Sequence, residues 1–169
     1  AILAYEGAQR ASIPTIGVDF TSVGEHVGRY LISKGHRHIA AIVPRDERIT
    51  HLGLQRLEGL EMIGRQYNIS VERVDLDYDT SQAAVLAEKW QQGSRPSALF
   101  TYNDEYGMLL MSALQDAGLN IPGDIALVGC DDLTLCEMLR PRLTSVNLSQ
   151  GYPERDIAAY LDDVIQGRV

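Results

Sequence analysis

The sequence predicts an α/β domain built on a parallel sheet, and three observations predict it. Short apolar runs alternate with longer amphipathic ones, the rhythm of successive β-α-β units. Several of the short runs end in polar residues: Asp19, the loop 45–50, Asn103 with Asp104, and Asp131 with Asp132. At 169 residues the chain is long enough to bury a real core without a metal or disulfide staple.

The elements follow in order. PTIGV (14–18) reads as a strand, and Thr21 or Ser22 caps a helix that runs to about Lys34 and stops at Gly35. Val23, Val27, Tyr30 and Leu31 fall at helical spacing, and Gly24 and Gly28, one turn apart, are expected to allow close packing on a sheet. HIAAIV (38–43) is the second strand; the polar loop PRDERIT leads from it into a helix over about 51–66. A third strand over 70–76 passes through the turn 77–80 into a helix ending near Gly93. SRPSALFTYND (94–104) holds a fourth strand with Asn103 and Asp104 at its carboxyl end.

The next helix, EYGMLLMSALQDAG (105–118), carries Met108, Leu109, Leu110 and Met111 in succession. A surface helix has an apolar stripe little more than ~100° wide. Four consecutive apolar residues exceed it, so one face is expected against a second subunit, with burial inside the same chain as the alternative. Met108 and Met111, with Leu135, are the expected dimer contacts. In IPGDIALVGCDD (121–132), Ile125 to Gly129 form a fifth strand that opens at the glycine onto Asp131 and Asp132. LTLCEML is a short helix capped by Asp132, LTSVNLS is extended, and 153–166 is a last amphipathic helix.

Charge narrows the function. The formal charge is −8, with 23 acidic against 15 basic residues. Phosphate contacts need clustered Lys and Arg, so these residues are not expected to form a nucleic-acid surface. The basic residues are scattered, with small groups at 34–38 and 140–142. No apolar run approaches the ~20 residues that span a bilayer, so no membrane role is expected. Cys130 and Cys136 are expected as free thiols in a reducing cytoplasm. The chain starts at Ala1 without an initiator methionine, as a piece of something longer would.

In open parallel sheets ligands bind beyond the carboxyl ends of the strands. There the sequence places carboxylates, an amide and arginines, equipment for hydrogen-bonding a sugar, polyol or nucleoside, with Phe100 or Tyr102 as an aromatic wall. An enzyme would need more. Asp104 with Asp131 is a weak general acid–base pair, and there is no GxSxG elbow, phosphate-binding glycine loop, CxxC or HExxH. His36 and His38 alternate across a strand entrance and make poor co-ligands. No catalysis, cofactor or metal is expected.

The motifs GHRHIA (35–40), RLEGL (56–60), ALFTYND (98–104), GLNIPGDIALVGCDD (118–132) and PRLTSV (141–146) jointly resemble the effector-binding domain of LacI/GalR-type transcription regulators. The resemblance implies a type I periplasmic-binding-protein-like fold, represented here mostly by its C-terminal subdomain. Residues 1–19 and 145–169 would belong to the N-terminal subdomain and the crossover, and 20–144 to the C-terminal one. It implies Arg56, Asn103 and Asp131 as effector ligands, with Phe100, Arg48 and Asp19 as further candidates. It also implies a homodimer, and operator DNA bound through a headpiece outside this sequence. A sugar receptor for a transporter shares the fold and is the rival reading.

Overall fold

In the computed structural model, which describes residues 3–4, 15–16, 19–148, 159, 162–163 and 165–168, the predicted alternation becomes a five-stranded parallel sheet. Contacts divide the chain into two units, Asp19–Val146 and a second formed by Ala1–Val18 with Asn147–Val169. In the second unit, β1 (Leu3–Ala4) pairs in parallel with β2 (Thr15–Ile16). Helical residues occur at 159, 162, 163 and 165, while most of the expected strand 14–18 and last helix lies outside the described residues.

The larger unit runs α1 (Phe20–Ser33), β3 (His38–Pro44), α2 (Thr50–Tyr67), β4 (Ser70–Leu76), α3 (Thr80–Gln92), β5 (Ala98–Phe100), α4 (Asp104–Asp116), β6 (Ala126–Cys130), α5 (Leu135–Met138) and β7 (Thr144–Val146). Its strand order is β4-β3-β5-β6-β7, with His38 beside Ser70 and Ala98 beside Ala126. The chain steps from β3 outward to β4, then back across β3 to β5. Right-handed crossovers therefore put α2 and α3 on opposite faces. In keeping with that, α1 packs on α2, and α3 on α4.

Burial follows position in the sheet. Ile39 to Val43 of β3 are all at most 3% exposed, because a strand covered on both faces needs a continuous apolar run. The edge strand β4 instead shows Glu72, Arg73 and Asp75, charges that discourage pairing with another chain. Trp90, Leu99, Leu110, Leu114 and Ile125 fill the core under α3 and α4. Among the described residues no helix is long and apolar enough to cross a membrane.

Several expectations need correction. Asp19, not Thr21 or Ser22, caps α1, its carboxylate accepting the Ser22 N–H at 3.1 Å. Gly24 and Gly28 face α2 instead of the sheet: a Cβ on Gly24 would lie 2.0 Å from the Arg56 carbonyl oxygen. Gly59 returns the contact, since a Cβ there would lie 1.9 Å from the Thr21 carbonyl oxygen. The fifth strand starts and ends one residue later than expected. Met111 is 3% exposed in the core of its own chain, so the wide stripe of α4 is met largely by α3, β6 and Leu143. Cys130 and Cys136 are free and buried.

Candidate functional site

The reversal of winding between β3 and β5 makes a topological switch point, where helices leave in opposite directions and open a crevice at the carboxyl edge. The residues beyond Pro44, Leu76, Phe100 and Cys130 gather at this edge.

Arg56, in the second turn of α2, is the centre of it. Its side chain is 4% exposed, and its guanidinium lies 4.4 Å from the ring centroids of both Phe20 and Tyr102. Nη1 donates to the Tyr102 carbonyl at 2.6 Å, while the buried Nε has no hydrogen-bond partner among the described residues. Ring faces stabilise a desolvated guanidinium but do not replace a counter-charge. No carboxylate pairs with Arg56 among the described residues. The place of Arg56 on α2 is set by the glycine contacts with α1.

Around it stands an aromatic wall that the sequence reading located only in part. Phe100, the last residue of the central strand β5, is 2% exposed and packed into the core, whereas Tyr102, two residues on, is half-buried. Tyr106 packs edge-on against Tyr102 at 5.9 Å and Tyr78 at 5.2 Å. Burial, then the charges of Asp77 and Asp46, push the Tyr106 hydroxyl up to about 12, so it stays protonated. Tyr78, 61% exposed and two residues past the end of β4, extends this wall from a strand end that the sequence reading did not single out.

The other predicted residues divide by role. Asn103 is half-buried and caps α4, its Oδ1 accepting the Tyr106 N–H at 3.0 Å. Arg48 is 87% exposed and forked onto Asp46, and these hydrogen bonds hold the Asp46 carboxyl down at about 2. Asp19 is exposed and engaged in capping. Asp131 is exposed with φ 110°, and its N–H donates to the Val146 carbonyl at 2.9 Å.

Asp132 does not cap α5, whose N-cap Thr134 makes no side-chain bond. It too is left-handed, with φ 55°, and its N–H donates to Ser145 Oγ at 2.9 Å. The Ser145 hydroxyl in turn donates a hydrogen bond to Asp104 Oδ1 at 2.6 Å, and Asp104 also accepts the Leu133 N–H at 2.8 Å. Asp104 is fully buried, so it serves as the anchor of the 131–133 turn and not as a partner for Asp131 in acid–base chemistry. Gly129 is required by the same anchor: a Cβ would lie 2.1 Å from the Asp104 carboxylate.

Residues 29–169 match the family described as periplasmic binding protein-like domain. Among curated relatives, the regulator CelR of Thermobifida fusca is 31% identical over 166 residues, covering 95% of this chain and 48% of CelR. The repressor PurR of Vibrio vulnificus is 30% identical over 147 residues, covering 83% of this chain and 42% of PurR. A LacI-family regulatory protein from Chloroflexus aggregans superposes with TM-score 0.70 at 27% identity, over 79% of this chain and 49% of that one. The chain spans about half the length of the curated relatives it matches. It thus belongs to the periplasmic-binding-protein-like domain family, in the form carried by LacI-type transcriptional regulators.

Proposed function

We propose that this chain is the effector-sensing part of a DNA-binding regulator, and that a small polar ligand with a ring face binds at the carboxyl edge of its sheet. The observation that carries the reading is Arg56: a buried cation at the switch point, clasped by two aromatic rings, with one donor unmatched among the described residues. Buried donors in native proteins are paired, so an acceptor at this position is worth ~1–3 kcal/mol. Tyr102 and Tyr78 supply faces for a sugar or nucleoside ring, and Asp131 supplies a hydroxyl acceptor.

Regulation then follows from differential binding. A ligand changes operator affinity only by preferring one geometry of the ligand-binding domain over another. Self-association is assigned to the exposed apolar residues Leu133, Leu135 and Met138, which are 38%, 54% and 66% exposed, together with half-buried Met108 of α4. Met111 has no part in it.

The test is a thermal-shift screen of sugars, polyols and nucleosides on a full-length regulator carrying this domain. A ligand at ~100-fold above its Kd adds ~2.7 kcal/mol of stability. Arg56→Met and Asp131→Ala are expected to abolish the shift and the operator response. A ligand that shifts both variants as it shifts the parent would refute the assignment.

A further inference from the structure

A second cleft, of about 300 Å³, opens at the opposite, amino-terminal edge of the sheet, where β6 and β7 begin. Its floor is apolar: Leu31, Met111, Leu127 and Val128 are each at most 5% exposed. Its rim carries Tyr30, Lys34, His36 and Arg142. Lys34 and Arg142, one from each basic group of the sequence, over 100 positions apart and unused by the effector site, both line it.

The charge is unusual for this molecule. In a chain of net charge −8, no Asp or Glu lines the cleft, whereas two other clefts include Asp75. Neither Lys34 nor Arg142 pairs with a carboxylate among the described residues. The Lys34 ammonium lies 5.5 Å from the Tyr30 ring centroid, and Arg142 is exposed. His36 is engaged with Ser97 Oγ at 3.0 Å, and burial lowers its pKa, which leaves Lys34 and Arg142 as the fixed positive charges.

We propose that this cleft binds a small organic anion with a flat or branched apolar body, the body on the Leu31–Met111–Val128 floor and the anionic head at Lys34 and Arg142. The volume suits a ligand of two fused rings. The cleft lies wholly within Asp19–Val146 and is independent of the Arg56 site.

The experiment is a backbone-amide NMR titration of the 169-residue chain with 2-naphthoate, repeated with the neutral, similarly shaped 2-naphthamide. Naphthoate is expected to shift Leu31, Leu127, Val128 and Thr144 and to bind at least tenfold more tightly than the amide. Lys34→Glu and Arg142→Glu, both at exposed positions, are each expected to weaken it about fivefold or more, the upper range for one solvent-facing ion pair. Equal affinity for acid and amide, shifts centred elsewhere, or indifference to both charge reversals would each overturn the proposal.

Discussion

Gly24→Ala is the substitution whose cost follows most directly from the structure. Its Cβ would sit 2.0 Å from the Arg56 carbonyl oxygen and 2.9 Å from the Leu60 nitrogen, both backbone atoms that cannot rotate away. A carbon–oxygen contact needs over ~3 Å, so α1 and α2 must part by about 1 Å. Dispersion falls steeply with distance, and a gap of that size forfeits a quarter to a half of each contact's attraction along the seam. Val27, Leu31, Leu60 and Ile63, now at most 2% exposed, are the residues affected. Overpacking typically costs ~1–3 kcal/mol, and the rigid backbone obstacle puts this case at ~3 kcal/mol. At ~2–4 °C per kcal/mol, Tm should fall by about 10 °C. The same displacement moves Arg56 relative to Phe20, so effector affinity should fall as well. Gly123→Ala is the control, since its Cβ would meet nothing nearer than the Asn120 Cβ at 3.5 Å. Thermal unfolding by circular dichroism reads both, and a Tm for Gly24→Ala within 2 °C of the parent would refute the close-packed seam.

Gly129→Ala should destabilise the parent by ~2–3 kcal/mol but cost much less in an Asp104→Ala background, where the carboxylate it strikes is gone; additive denaturation free energies would show that the two residues do not couple. Asp104→Ala alone should cost ~3 kcal/mol, because it strands the Leu133 N–H and the Ser145 hydroxyl. Arg48→Ala should let the Asp46 carboxyl rise from about 2 toward the ordinary carboxylate value, as read by a carbon-detected NMR titration; an unmoved titration would dissociate the pair. Burial pushes the Cys130 thiol from 9.0 to about 12, so the folded state opposes thiolate formation. That stability is complete below pH 9 and is lost as pH climbs toward 12; denaturant midpoints should fall over this range, and less so in Cys130→Ala, while an identical pH slope in that variant would contradict the assignment.

The strand-end rule read from the sequence places Arg48, Asn103 and Asp131 at the carboxyl edge of the sheet, where the structure has them, because polar residues after an apolar run announce where a parallel strand emerges. It could not show that Phe100, the last residue of β5, is 2% exposed, because a central strand carries helices on both faces. It passed over Tyr78, whose sequence neighbours Asp77 and Asp79 look like any polar turn. A hydrophobic period shows which face is apolar but not what covers it, which is why Met111 proved to be core.

By itself the sequence determined the parallel α/β class, the order of the elements and the family, because periodicity and turn chemistry act between residues close in the chain. Tertiary structure alone decided the roles of residues that meet from far apart. Asp104 and Ser145 lock the Asp131–Asp132 turn, Phe20 and Tyr102 clasp Arg56, and Lys34 and Arg142 line one cleft. Those roles depend on distances of a few ångströms between distant segments, and such distances are fixed only when the helices and the sheet pack together.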